Sequence, residues 1–168
     1  MNSEYLSELR KLSLTARAAI ALLVCEKYFE SYNIRNKDTV EFLNFMWEWP
    51  IVVDFEQWET NRPVLVNFGL GDEISETMAE ALELSSVYQS NFRAVVSGTV
   101  EILWSSFWGA AEDEVSNQAL NSVIQSSGLK YYPVLTPFKF STFVEGDGWG
   151  KPISTQDRDF WRERAKYA

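Results

Sequence analysis

Residues 74–108 read ISETMAEALELSSVYQSNFRAVVSGTVEILWSSFW, and this stretch decides the fold. Met78, Ala81, Leu82, Ser85, Tyr88, Phe92, Val95, Val96, Thr99, Leu103 and Phe107 recur at steps of three and four. That spacing draws one apolar or small-residue stripe down a helix of roughly ten turns. Gly98 interrupts it at a cost of about 1 kcal/mol, which predicts a bend or a close helix crossing there. The opposite side carries Glu73, Glu76, Glu80, Glu83 and Glu101. The sequence thus predicts one long central helix over 73–108, apolar on one side and acidic on the other.

The flanking segments have the same helical character. Asn2 or Ser3 can cap a short first helix with an apolar side of Leu6, Leu9 and Leu12. A helix from about Ser13 to Tyr32 is apolar nearly all round in its centre, AAIALLVCEKYF, which predicts burial among several neighbours. Cys25 lies inside that run and reads as a core residue. Asp38-Thr39-Val40-Glu41 reads as a capping box for a helix that Trp47 anchors and Pro50 stops. Residues 51–71 predict an irregular connection with a short helical turn near Phe55–Thr60; the apolar triplets at 51–53 and 64–66 also fit short strands. Gly69-Leu70-Gly71 predicts a turn ending in an Asp72 cap.

Beyond the central stretch, Glu112-Asp113-Glu114 opens a helix from about 113 to 127, closed by Gly128. Pro133, Pro137 and Pro152 then exclude a continuous helix, and Phe138, Phe140 and Phe143 suggest an extended segment on the core, within a small hairpin. Gly146-Asp147-Gly148-Trp149-Gly150 reads as an exposed loop whose Trp149 either packs as a lid or meets a partner. Ser154 with Asp157 caps a last helix, 155–166, with a basic end. The expectation is an all-α, single-domain bundle spanning 1–168.

Composition narrows the chemistry. There is no His, and Cys25 is the single cysteine, so an intrachain disulfide and a Cys/His zinc site are both excluded. Lacking the commonest general base, the chain shows no catalytic set. Carboxylate pairs such as Glu56/Glu59 or Glu76/Glu80 would act as a glycosidase dyad only if walled into a cleft. No metal or cofactor is expected. The longest apolar run, Ala18 to Cys25, is too short to span a bilayer, and the N-terminal residues do not read as a signal peptide. The expected location is cytoplasmic.

The net charge of −9 is unevenly spread. Residues 41–114 hold fourteen acidic residues against two basic ones, Arg62 and Arg93, while both flanks are slightly basic. Such a field repels nucleic acid and steers a basic protein inward. Seven Trp residues add the side chains most enriched at interface hot spots. The expected partner surface is Asp54, Glu56, Glu59, Asp72, Glu73, Glu76, Glu80 and Glu83, with Trp149 as a further contact.

Two stretches resemble an uncharacterised all-helical bacterial group, the YjaG-like family. They are Cys25-Glu26-Lys27 with Phe29 and Tyr32, and Leu43-Asn44-Phe45-Met46-Trp47-Glu48. The resemblance covers about the first fifty residues, with a weaker echo at Ala81–Ser85, and implies an all-helical fold without fixing a function. In overall character the chain resembles immunity proteins of bacterial contact-dependent growth-inhibition and other polymorphic toxin systems. That resemblance implies binding to a cognate toxin domain, typically a basic nuclease, in the cytosol. A helical protein-binding adaptor of the YjaG-like kind is the alternative.

Overall fold

The computed structural model describes residues 3–164, and it is all-α: 66% helical, with no strand among the described residues. The Asn2 cap and Lys166 of the basic C-terminal end lie outside the described residues. After α1 (Ser3–Leu9), Ser13 starts α2 (Leu14–Ser31) by accepting a hydrogen bond from the Ala16 N–H on its hydroxyl. Fourteen of the eighteen α2 residues are buried, which is what its all-round apolarity requires. Cys25 is among them.

α3 spans Lys37–Glu48 and runs into a 3₁₀ turn at Trp49–Ile51. Its cap is Asn36, whose side chain accepts from the Thr39 N–H while Thr39 Oγ1 accepts from the Asn36 N–H. The expected Asp38/Glu41 box is therefore displaced by two residues, because the chain enters the helix two positions before the sequence pattern suggests. Trp47 is 1% exposed. Over its ring, 5.7 Å away, lies the guanidinium of Arg162, itself paired with Glu26 at 3.2 Å.

The region 51–71 contains two short helices, α4 (Phe55–Thr60) and α5 (Val64–Gly69). The triplet 64–66 is helical, and neither triplet forms a strand. Nor does Asp72 cap the next helix: Ser75 does, accepting from the Met78 N–H.

The predicted central helix is two helices, α6 (Glu76–Leu84) and α7 (Gln89–Trp104). Ser86, at φ +55°, ends α6 in the left-handed region, with its N–H donating to Glu83 O and the Val87 N–H to Leu82 O. That pair of bonds is the Schellman closure, normally built on glycine and here on serine. The apolar stripe resumes after the break: Met78, Leu82, Phe92, Val95 and Val96 reach the core, whereas Tyr88, expected on the same stripe, is 78% exposed where the chain turns. α7 packs against α2, α5 and α8 (Asp113–Ser127). At Gly98 it crosses α8 so closely that a Cβ would stand 2.7 Å from Val123 Cγ2 and 3.0 Å from Ala119 O. The glycine marks a close crossing, as the sequence suggests.

α8 ends at Gly128. The hairpin expected beyond it is absent among the described residues. Instead there are 3₁₀ turns at Thr136–Phe138 and Gly146–Gly148, and one isolated antiparallel bridge, Leu12 to Thr142. Phe138 is buried on Trp161 rather than lying in an extended strand, since Pro137 favours a tight turn. α9 (Thr155–Arg164) starts with Ser154 and Asp157 exchanging hydrogen bonds.

Candidate functional site

The end of α3, the adjoining turn and α4 build an aromatic-lined cleft. Trp58 of α4 stacks on Phe45 with ring centroids 4.3 Å apart and donates its Nε1–H to the Phe45 carbonyl at 3.1 Å. It also meets Trp104 at the end of α7, at 5.4 Å, and Phe107 at 6.1 Å. Trp49 joins from the 3₁₀ turn, 4.9 Å from Phe107 and 5.3 Å from Trp149. Four separate parts of the chain thus bring their rings to one end of the bundle.

The glycine-rich loop delivers Trp149 through tight packing. Gly150, at φ +85°, leaves no room for a side chain: a Cβ would fall 2.3 Å from Ser141 Oγ and 2.7 Å from Ser13 Cβ. The loop end is therefore pressed against the start of α2, which holds Trp149 half-buried over Trp49 and Phe107. Of the two roles open to it, the lid is the geometry observed, and the same ring still lines the cleft.

The cleft measures about 550 Å³. Trp49, Phe55, Phe107 and Trp149 line it, with Trp108 at its edge and Pro50 and Pro152 alongside. Trp108 is 80% exposed, Phe55 is 49% exposed, and neighbouring Val53 is 95% exposed. Exposed apolar surface continuous with a concave site is the usual mark of a binding surface. Trp49 Nε1 and Trp104 Nε1 are buried with no acceptor among the described residues. Each such N–H costs about 1–3 kcal/mol, a penalty that Phe at the same positions would not carry.

Glu56 and Glu59 also line this cleft, so the structure joins two of the expected carboxylates to Trp149. Their neighbours divide the two. Glu59 is engaged by Arg62 at 3.4 Å, whereas Glu56 has no ion pair among the described residues. Lys151, the cation lining the cleft, is held by Glu145 at 3.0 Å. Asp54 is exposed but spends its carboxylate as the cap of α4, accepting from the Gln57 N–H at 3.0 Å.

The remaining carboxylates lie elsewhere. Glu76, Glu80 and Glu83 are exposed along α6, with Asp72 and Glu73 exposed just before it. α6 sits beside the start of α3, where Ser75 contacts Asp38 and the Asn36 amide contacts Met78 Sδ. The cleft lies at the other end of α3, about 18 Å away for twelve helical residues. The acidic residues therefore form two groups rather than one surface. Arg93, the other cation of the acidic stretch, is drawn inward: it donates to the Phe68 and Asp72 carbonyls at 2.8 Å each and lies 3.8 Å over the Phe68 ring.

Phe55 and Trp108 are surface rings whose place in a cleft the sequence reading does not anticipate, and Phe107, expected on the apolar stripe, is partly buried beside them. No group of three or more metal-ligating side chains occurs among the described residues. No helix among them is long and apolar enough to cross a membrane. Comparison with protein-family models, with curated proteins and with solved structures gives no match to this chain.

Proposed function

We propose that this chain is a protein-binding module that neutralises a basic partner, in the manner of an immunity protein holding a cognate nuclease toxin domain inactive in the cytosol. One observation carries the reading. An exposed aromatic surface lies beside Glu56 and Glu59, and the two arginines of the acidic stretch, Arg62 and Arg93, are both committed to contacts within the chain. Among the described residues Glu56 and the α6 carboxylates make no ion pair, so an outside cation can meet them, and the rings supply the apolar centre that an interface needs. A nuclease holds phosphates with Lys and Arg, so a carboxylate surface can occupy that site as a phosphate mimic.

The YjaG-like resemblance contributes to the fold and leaves function open, because its motif residues Cys25, Phe29, Leu43 and Trp47 are all buried core. The test is direct. The protein encoded immediately upstream is purified, its binding measured by calorimetry at several salt concentrations, and its activity assayed with and without this chain. A tight, salt-weakened complex that abolishes the activity is the expected result. Absence of binding at low salt sinks the proposal.

A second reading is favoured by the placement of Glu56 and Glu59 in one cleft, the condition for a carboxylate hydrolase. Against it, Glu56 faces solvent and Glu59 is tied to Arg62, so neither sits in the dry setting that makes a carboxyl a general acid. Hydrolysis of glycosides by the purified chain, lost in Glu56→Gln, would favour this reading over the first.

A further inference from the structure

We infer that the aromatic cleft receives an arginine side chain presented on a loop of the basic partner. This deepens the reading above, on which it rests for the partner being a protein; the cleft chemistry itself is argued from the rings and charges around it.

The faces of aromatic rings carry negative potential and attract a cation lying over them, Trp most strongly. Trp49, Phe55, Phe107, Trp108 and Trp149 line one cavity, so a cation entering it meets several rings. A carboxylate is required as well, since a cation losing its water needs a counter-charge. Glu56 supplies it. It lines the same cavity and has no ion pair among the described residues, while Glu59 and Lys151 neutralise themselves on Arg62 and Glu145. The available charge of the cleft is thus negative and localised at one side chain.

Arginine fits these demands better than lysine. Its guanidinium is planar and weakly hydrated, and it stacks on a ring face while its N–H edge still reaches a carboxylate. Lysine presents a strongly hydrated point charge that gains less from a flat apolar wall. At about 550 Å³ the cavity has space for the side chain together with part of the loop that bears it. The charge around it agrees: residues 41–114, which include α4 and most of the cleft rings, carry the whole acidic excess of the chain.

The experiment titrates the full chain with N-acetyl-arginine N-methylamide while recording indole N–H signals by NMR. The citrulline counterpart, of the same shape without charge, serves as the comparison. Signals of Trp49, Trp108 and Trp149 are expected to move with arginine at millimolar concentration, and the citrulline probe to bind ~10-fold more weakly. Glu56→Gln and Trp108→Ala are each expected to weaken arginine binding several-fold. Both positions are exposed, so unchanged circular dichroism will separate lost binding from lost fold. No shift with arginine, or equal shifts with citrulline, overturns the inference. Failure of the two readings is distinguishable. A salt-dependent complex with the upstream-encoded protein that ignores both substitutions keeps the protein partner and removes the arginine anchor. Arginine binding without any such complex keeps the cleft chemistry and removes the partner.

Discussion

Arg17 Nη2 lies 2.7 Å from Asp113 Oδ1, and the arginine side chain is fully buried while the aspartate is half exposed. The guanidinium also donates to Ser116 Oγ and to the Arg10 carbonyl, at 2.7 Å each, and lies 4.8 Å over the Phe143 ring. One cation thus ties α2 to the start of α8, to the end of α1 and to the 141–143 segment. Asp113 sits in the first turn of α8, where it complements the dipole of its own helix; it also balances this buried charge. Burial pushes the Arg17 guanidinium below its ordinary range, and the Asp113 contact opposes that shift.

The asymmetry of this pair gives the first prediction. Asp113→Ala strands a buried cation and should cost about 3 kcal/mol, whereas Arg17→Met removes the buried charge and leaves an aspartate that water can reach. Urea denaturation should therefore rank Asp113→Ala as the more damaging change. The reverse order would mean that the carbonyl and hydroxyl acceptors alone satisfy Arg17.

At Gly98 two effects compete. Alanine improves helix propensity by about 1 kcal/mol, but its methyl would lie 2.7 Å from Val123 Cγ2 and force α7 and α8 apart. Overpacking of this kind costs about 1–3 kcal/mol, so Gly98→Ala should lower the thermal midpoint. Adding Val123→Ala should recover part of the loss, the remainder reflecting Ala119 O at 3.0 Å. A Gly98→Ala variant that melts higher than wild type would show that the crossing is looser than its geometry implies.

These two sites show what the sequence does and does not disclose. Periodicity marks α7 because its apolar spacing is set by the core it faces, all-round apolarity marks α2, and the acidic start and closing glycine mark α8. The Ser154–Asp157 cap is legible because both partners are local. The break at Ser86 is not, since serine has no special tolerance for positive φ and the turn is held by the Schellman bonds. Arg17 gives no local sign of its role, because its partners lie on α8 and after α1. The cleft is hidden for the same reason: Trp49, Trp58, Phe107 and Trp149 meet only after four segments have packed.

Cys25 supplies a prediction about reactivity. It is fully buried, and burial pushes its thiol well above the ordinary range, more than the Thr99 contact lowers it. Only the thiolate attacks a disulfide reagent, so the folded protein should resist labelling and react when unfolded. Labelling rates measured across a urea gradient should follow the unfolded fraction. Rapid reaction of the native protein would contradict the buried placement.

Glu8 gives a pH dependence with a definite sign. Hydrogen bonds first from Lys11 and then from Lys139 hold its carboxyl at about 2, against an ordinary 4.5. A depressed carboxyl contributes stability that is present above pH 4.5 and is lost as the pH falls toward 2. The Glu8–Lys139 contact, at 2.8 Å, joins α1 to the residues after the Thr136–Phe138 turn. Carboxyl NMR titration should show the Glu8 midpoint rising in both Lys→Met variants, more in Lys11→Met than in Lys139→Met. An ordinary midpoint in wild type would remove this contribution.

The two acidic groups should separate kinetically if a basic partner sits on the cleft. Glu76, Glu80 and Glu83 lie beside one end of α3 and Glu56 beside the other, and the helix between them, about 18 Å long, exceeds a Debye length of about 8 Å at physiological salt. Exposed charges outside a contact act mainly on encounter, and charges desolvated within it act mainly on escape. Reversing the α6 triplet to Lys should therefore slow association several-fold at low salt, with the difference fading as salt is added. Glu56→Gln should leave association nearly unchanged and speed dissociation. The sites share no partner residue, so the combined variant should show the sum of the two free-energy effects. Stopped-flow association and dissociation of the upstream-encoded protein, wild type against the three variants, measures all of this. Faster dissociation in the α6 variant with association intact would place the buried contact on α6 and take the anchor away from the cleft.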